Sequence, residues 1–455
     1  MEFKKYNHVL EEKLISELWE KKGCFKPKPG RVKKTFSMVI PPPNVTGRLH
    51  MGHALNNSLQ DVLVRFYRMK GYETLWQPGT DHAGIATQAI VERNIEKEGF
   101  KKNDLGREKF IKKVWEWKDK SGGIILDQLK KLGCSCDWTR TRFTMDKDLS
   151  KAVIKVFVDL YNQKLIYKDK KLINWDTALQ TAISDLEVVQ KETQSNLYFI
   201  EYQVEDSSEK ITIATTRPET MMGDTAIAVN PKDKRYVNLV GKNAKIPLVN
   251  RSIKIITDHY ADPEQGSGAV KITPAHDFND YLVGKRNKLQ IINIFEKDGK
   301  INKNGIKDFI GLDRFEARKL IIDKLKKTKQ IAKIEQIKNK VPYGDRSNTI
   351  IEPLLTEQWF VNAKALSKKP IDIVKKGKTS FYPENWKNIF FQWMNEIEPW
   401  CISRQIWWGH RIPAWYDNAN NIYVAENKKK ALLLARKKNK NKTIKLKQET
   451  DVLDT

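Results

Sequence analysis

Between residues 35 and 53 the chain commits itself to one local architecture. Thr35-Phe36-Ser37-Met38-Val39-Ile40 reads as a short buried strand. Pro41-Pro42-Pro43 stops it, because proline has no N–H to give a ladder. Asn44-Val45-Thr46-Gly47 follows as loop, and the apolar spacing then turns helical through Leu49, Ala54, Leu55, Leu59, Val62, Leu63 and Phe66. Strand, proline-stiffened loop and helix begin an α/β unit. His50 and His53 stand three apart at the start of that helix, so they share a face. Free backbone N–H groups and the helix dipole already favour phosphate there. Gly52, between them, has no side chain to keep a flat base from the backbone. An unframed His-x-x-His reads best as two capping surface histidines. Inside this frame the pair suits stabilisation of charge developing on a phosphate during transfer.

The chain has 455 residues, about three domains' worth, and 40% of them are hydrophobic, enough to bury a substantial core. No apolar run approaches the roughly 18 residues of a membrane span. The opening Met1-Glu2-Phe3-Lys4-Lys5 is soon followed by Glu11, Glu12 and Glu17, which fits neither a signal peptide nor an acid-poor transit peptide. Four cysteines are too few for a disulfide framework at this length. The expected place is the cytoplasm, with no membrane partner. The formal charge of +27 attracts polyanions, nucleic acid first. Tracts such as Lys428-Lys429-Lys430 and Arg436-Lys437-Lys438-Asn439-Lys440 read equally well as solvated faces, so charge alone decides nothing.

An apolar helical pattern (Val9, Leu10, Leu14, Ile15, Leu18) breaks at Lys26-Pro27-Lys28-Pro29-Gly30. Helical periodicity dominates most of 90–165, with a polar break around 132–137. From about 196 the texture changes to short β-type runs: 197–204, 211–215, 226–229, 253–256 and 269–272. Past Pro342-Tyr343-Gly344 mixed structure returns with a tryptophan-rich segment.

Pro-x-Asn-x-Thr-Gly-x-Leu-His-Met-Gly-His, ending at His53, resembles the His-Ile-Gly-His signature of class I aminoacyl-tRNA synthetases in its valyl form. Gly79-Thr80-Asp81-His82-Ala83-Gly84-Ile85-Ala86-Thr87-Gln88 is similar to the valyl version too, where isoleucyl and leucyl relatives carry Gly-Trp-Asp. Cys134-Ser135-Cys136-Asp137-Trp138, Arg142-Phe143-Thr144-Met145-Asp146, Asn174-Trp175-Asp176 and the run from Trp400 to Pro413 extend the resemblance over essentially the whole chain. It implies an α/β fold: a class I Rossmann-type nucleotide-binding catalytic domain interrupted by a β-rich editing domain. The boundaries expected are 1–195 for the N-terminal helix and first catalytic half, 196–343 for the editing insert, and 344–455 for the return and the start of the second half.

The activity implied is ligation of valine to tRNA(Val), with ATP as substrate and Mg²⁺ beside it. His50 and His53 take the catalytic phosphate role. Pro43, Thr46, Gly47 and Gly52 join them around ATP. Pro42, Asn44 and Asp81 surround the amino acid, with Asp81 as anchor for its ammonium; a helix N-cap explains Asp81 alone equally well. In the β-rich part, Thr215-Thr216-Arg217-Pro218-Glu219-Thr220 and the run from Lys271 to Tyr281 each follow a strand. Composition alone reads strand-end turns with capping aspartates. The resemblance implies hydrolysis of threonyl-tRNA, with Asp280 on the ammonium and Arg217, Thr220, Lys271 and Asp277 placing the ester, its hydroxyl or water. Such a site meets a physical need, since an apolar pocket rejects an added hydroxyl only about 100-fold.

Three signals are set aside. The run from Asp372 to Thr379 mimics a P-loop, but Asp372 stands where its first glycine belongs. Cys134-x-Cys136 lacks a partner pair, and none follows Tyr416, so no zinc is expected and no residue is named as a metal ligand. Trp393, Trp400, Trp407, Trp408 and Trp415 read as core and packing residues rather than a platform for bases. The family's Lys-Met-Ser-Lys-Ser signature is not found before Thr455. The chain thus reads as an N-terminal portion, monomeric if completed, with the other half otherwise supplied, and poor at activating valine alone. A stand-alone editing hydrolase and an isoleucyl-type synthetase are the rival readings.

Overall fold

The computed structural model describes residues 6–28, 34–439 and 443–454. The first five residues, the Pro29-Gly30 break, Lys440 of the basic tract and Thr455 lie outside them. The chain forms two compact units, Met1–Lys164 with Gln405–Thr455, and Leu165–Arg404.

In the first unit, α1 (His8–Lys22) ends at Gly23, whose φ of +60° lets its N–H reach the Glu20 carbonyl. Strand β1 (Thr35–Val39) pairs in parallel with β2 (Glu73–Gln77), and α2 (Met51–Met69) connects them, as the strand–loop–helix pattern predicts. A second parallel pair joins β3 (Gly79–Thr80) to β4 (Arg142–Phe143). Helices α3 (Gly84–Lys97), α4 (Lys102–Lys131, broken at Gly106) and α5 (Lys147–Asn162) fill the predicted helical region. Two of this unit's buried clusters lie around the β1–α2 region and the α3–α4 region. Ile40, Val64, Trp76, Ile125, Leu129 and the two buried thiols form one, and Val45, Val91, Phe110, Val114, Phe143 and Trp408 the other. Each fully buried large side chain contributes about 1.5–3 kcal/mol.

The second unit is built on antiparallel ribbons. Strand β5 (Ile166–Asp176) runs against β14 (Glu352–Val361), flanked by β6 (Thr181–Ala182) and β15 (Trp400–Cys401). The long β7 (Val188–Val204) and β13 (Ile331–Gly344) belong to a seven-stranded sheet with β8 (Lys210–Thr215), β9 (Ala226–Val229), β10 (Asn243–Lys245), β11 (Ser252–Thr257) and β12 (Ala269–Ile272). Its order is β12-β9-β11-β10-β7-β13, with β8 also on β7. Tyr198, Ile200, Tyr202 and Val204 alternate inward along β7, while β9, between two partners, is buried throughout. Helices α6 (Phe278–Arg286) and α7 (Arg314–Lys327) follow β12; α8 (Ala363–Lys375) and α9 (Trp386–Asn395) follow β14.

Burial departs from what the sequence suggests in three places. The polar break expected at 132–137 is present, since α4 ends at Lys131, but its 134–137 part is buried: Ser135 donates to Asp61 Oδ1 at 2.5 Å, and both cysteines are buried. Trp408 and Trp415 are buried, but Trp393, on α9, which buries none of its residues, is 63% exposed, and Trp400, on β15, is 48% exposed. The third concerns covering. The apolar stripes of α1 and of α2 (Leu55, Leu59, Val62, Leu63, Phe66) form on schedule yet stay exposed. Periodicity predicts the helix, not what packs on it.

Candidate functional site

The loop after β1 is fixed from two sides. Asp81 N donates to Pro43 O at 2.9 Å and Val45 N to Asp81 O at 3.1 Å, a parallel bridge that sets Asn44 beside Asp81. From α4, Trp117 Nε1 donates to Val45 O at 2.9 Å and Ser121 Oγ to Gly47 O at 3.4 Å, while Gln128 Oε1 accepts Leu49 N–H at 2.9 Å. These three positions share one face of α4, so one helix holds the whole loop. Within it Pro43 is buried, Thr46 half-buried, and Pro42 and Asn44 exposed.

At the end of this loop the histidines cap α2. His50 Nδ1 accepts Gly52 N–H at 3.1 Å, and His53 Nδ1 accepts His50 N–H at 3.3 Å. Each neutral ring therefore carries its proton on Nε2, opposite its capping nitrogen. The rings lie 3.9 Å apart, centroid to centroid. Partial burial, then the neighbouring His50, lower the His53 pKa and favour its neutral form. The pair offers two N–H donors at a helix N-terminus, the arrangement an anionic oxygen needs. Gly52 serves a nearer purpose than the one read from sequence: a Cβ there would stand 2.9 Å from His50 Cε1, so the imidazole itself requires the glycine.

Asp81 does not cap α3, whose N-cap is Ala83 at φ +44°. Its Oδ1 accepts the Thr144 hydroxyl at 2.9 Å and lies 3.2 Å from His82 Nδ1. Burial alone would raise its pKa, but His82, Thr144 and the Ala83 N–H outweigh that and hold it low. Thr144 Oγ1 also takes the His82 N–H at 2.9 Å. Trp408 Nε1 donates to His82 O at 2.8 Å, and Gln88 Oε1 accepts Trp407 and Trp408 N–H groups. Sequence reading missed His82, Thr144 and Gln88 as parts of this site. Their signal was present: the Gly79–Gln88 and Trp407–Trp408 motifs are bonded to one another.

The second constellation lies in the β-sheet unit. The buried 3-10 turn Pro218–Gly223 carries Thr220 to Lys271 on β12, whose Nζ donates to Thr220 Oγ1 at 2.7 Å, Thr273 Oγ1 at 2.5 Å and Asp224 Oδ1 at 3.3 Å. Asp280, 5% exposed in the first turn of α6, accepts Thr273 N–H at 2.8 Å. Desolvation pushes its carboxyl up to about 7; Lys271 pulls the other way, and Asp277 and Asp224 push further. Asp277 is the N-cap of α6, accepting Asn279 and Asp280 N–H groups, so the capping role that composition alone suggested is real.

Arg217 stands apart from that lysine. It pairs with the buried Glu352 and with Glu219 at 3.3 Å, and donates to His276 O at 3.0 Å. Burial alone would lower its pKa; the two glutamates raise it instead. Arg318 holds Glu219 bidentately at 2.6 and 2.7 Å, and Arg314 lies 3.0 Å from Glu352. Arg217 and Asp277 line a cavity of about 940 Å³ with Arg318, Glu352, Phe315 and the facing strands β7 and β13. Thr220, Lys271 and Asp280 are not among its lining residues. Sequence reading missed Thr273 and Glu219, which stand inside the two motifs, and Asp224, Glu352 and Arg318, which stand outside them.

Elsewhere, burial pushes the Cys134 thiol up to about 12 and Cys136 higher still. Among the described residues no group of three or more His, Cys, Asp or Glu is placed to hold a metal, and no helix is long and apolar enough to cross a membrane.

Residues 14–455 match the family model described as tRNA synthetases class I (I, L, M and V). A valine--tRNA ligase of Pelagibacter ubique is 66% identical over 99% of this chain and 51% of its own length. Those of Rhodopseudomonas palustris and Francisella tularensis are 54% and 52% identical, over 92% and 99% of this chain and 47% and 49% of theirs. The chain spans about half the length of the curated relatives it matches. A LeuRS of Agrobacterium radiobacter K84, solved in a ternary complex with tRNA and LeuAMS, has a TM-score of 0.46 and 18% identity, covering 99% of this chain and 58% of that one.

Proposed function

The chain belongs to the class I tRNA synthetases, and from that premise we propose that it carries the valine-activating and editing sites of a valine--tRNA ligase. Ligation joins a valine carboxylate oxygen to the α-phosphorus of ATP, releasing pyrophosphate. The 3′-terminal ribose hydroxyl of tRNA(Val) then attacks the mixed anhydride carbonyl, and AMP leaves. His50 and His53 point Nε2–H donors at phosphate oxygens whose charge grows in the first step, so they stabilise the transition state more than the ground state. Asp81, kept ionised, receives the valine ammonium beside Asn44 and Pro42. Pro43, Thr46, Gly47 and Gly52 shape the phosphate-facing loop. Mg²⁺ would neutralise phosphate charge, and among the described residues no group of three or more His, Cys, Asp or Glu is placed to hold it. The proposed place of work is the cytoplasm.

At the second site, water attacks the carbonyl of a threonyl ester, the ester C–O bond breaks, and threonine and tRNA leave. Asp280 takes the ammonium; Lys271, Thr220 and Asp277 place the ester, its hydroxyl or the water. Arg217, turned into the larger cavity, faces the nucleotide end.

The observation that carries the reading is the reciprocal capping of α2 by two histidines, on a loop bonded directly to an aspartate whose pKa is held low. Valine-dependent exchange of pyrophosphate into ATP tests it, in a protein of the relatives' full length carrying these residues. Exchange should need valine and collapse with His50→Ala or Asp81→Ala. Wild-type exchange by either variant rejects the assignment. All five editing candidates fall within Leu165–Arg404, which favours hydrolysis as an activity separable from ligation.

A further inference from the structure

The hydrogen bonds around Lys271 have a direction. Its ammonium has three hydrogens, and Thr220, Thr273 and Asp224 receive them. The Thr220 hydroxyl proton goes on to Arg217 O at 2.9 Å. The Thr273 hydroxyl donates to Asp224 Oδ1 at 2.6 Å, and the Tyr202 hydroxyl to Asp224 Oδ2 at 2.8 Å. Three donors thus converge on Asp224, which as a carboxylate offers none. Asp224 and Tyr202 are fully buried and Lys271 nearly so. An ammonium that far from water needs a counter-charge within reach. Asp280 meets the cluster through the Thr273 backbone instead.

We propose that Asp224 is a positioning residue: the standing counter-charge of Lys271, fixing the direction of the Thr220 and Thr273 hydroxyls and leaving the Asp280 carboxylate to receive a substrate ammonium. This rests on the editing reading of the pocket and adds a residue to it. Burial outweighing its three donors raises the Asp224 pKa, so its ionised form depends on those donors. Tyr202, from β7, and Thr273, from the end of β12, therefore support the site through Asp224 rather than by touching substrate.

Asp224→Asn keeps the shape and removes the charge. In the full chain, kcat for threonyl-tRNA hydrolysis should fall on the order of 100-fold with KM little changed. Tyr202→Phe, which keeps the charge, should lose less. Because Asp224 acts through Lys271, Asp224→Asn/Lys271→Met should be no slower than Lys271→Met alone. That double variant lacks the unpaired buried ammonium and decides the question even where Asp224→Asn does not fold. A readout independent of turnover is the slowly exchanging Lys271 ammonium signal in nitrogen-edited proton NMR, assigned by its loss in Lys271→Met. Asp224→Asn should abolish or shift it. If the wild type hydrolyses no threonyl ester while the signal responds so, the pairing stands and the editing reading falls. Wild-type kcat with an unchanged signal in Asp224→Asn, or a double variant slower than Lys271→Met, overturns the proposal.

Discussion

The Thr144 hydroxyl donates to the Asp81 carboxylate across 2.9 Å, although 63 residues separate them in sequence. The same oxygen receives the His82 N–H and lies 2.7 Å from His82 Nδ1. Thr144 thus sets the rotamer of the proposed ammonium anchor. Thr144→Ala should raise the KM for valine in pyrophosphate exchange roughly tenfold, the value of one charge-assisted bond, with kcat little changed. Thr144→Ser should restore it. Equal KM in all three proteins would remove Thr144 from the site.

Capping and chemistry at His50 can be separated. Asparagine is a good N-cap but has no imidazole N–H. His50→Asn should keep the thermal midpoint within the effect of a cap exchange, a few tenths of a kcal/mol, while exchange falls on the order of 100-fold. If activity follows only stability, the histidine is a cap and nothing more.

Asp280 gives the second site a pH signature. Its pKa of about 7 arises from burial, with Lys271 opposing and Asp277 and Asp224 reinforcing; Tyr260 also senses its charge. An ammonium ligand needs the ionised form, so deacylation should rise as pH passes through about 7. The stability effect has the opposite sign. A carboxyl whose folded pKa is raised stabilises fully below its unfolded pKa, and that contribution is lost as pH climbs to about 7. Asp280→Asn should therefore be inactive yet, relative to wild type, more stable at pH 8 than at pH 4, as read by urea unfolding. A stability difference independent of pH would contradict the desolvated carboxyl.

Glu219 is fully buried, and Arg318 and Arg217 compensate it. Removing Arg318 strips away the bidentate partner. Arg318→Met should cost about 3–5 kcal/mol in urea unfolding. Arg318→Met/Glu219→Gln should recover most of that. A loss below about 1 kcal/mol, the scale of surface pairs, would mean the cluster is solvated.

Much of this was legible in the sequence where the chain's own chemistry decides. Alternation and β-branching placed β9 at 226–229 and β12 at 269–272 to the residue, and prolines set the end of β1. Burial is tertiary, and there the reading failed in both directions. Trp393 and Trp400 look like core yet are exposed, while 134–137, inside the expected break, is buried. The site divided the same way. His50, His53 and Asp81 sit in local frames that announce them. Asp224 and Glu352 act only through partners tens of residues away, which no spacing rule reveals.

The central claim is that this pocket reads a threonyl ester on tRNA. It is tested most directly by giving the full chain threonyl-tRNA(Val) and valyl-tRNA(Val) in parallel and following deacylation at pH 8. The account predicts rapid loss of threonine, sparing of valine, and no enzymatic loss of either with Asp280→Ala. Equal hydrolysis of both esters, or undiminished threonine release by Asp280→Ala, would contradict it.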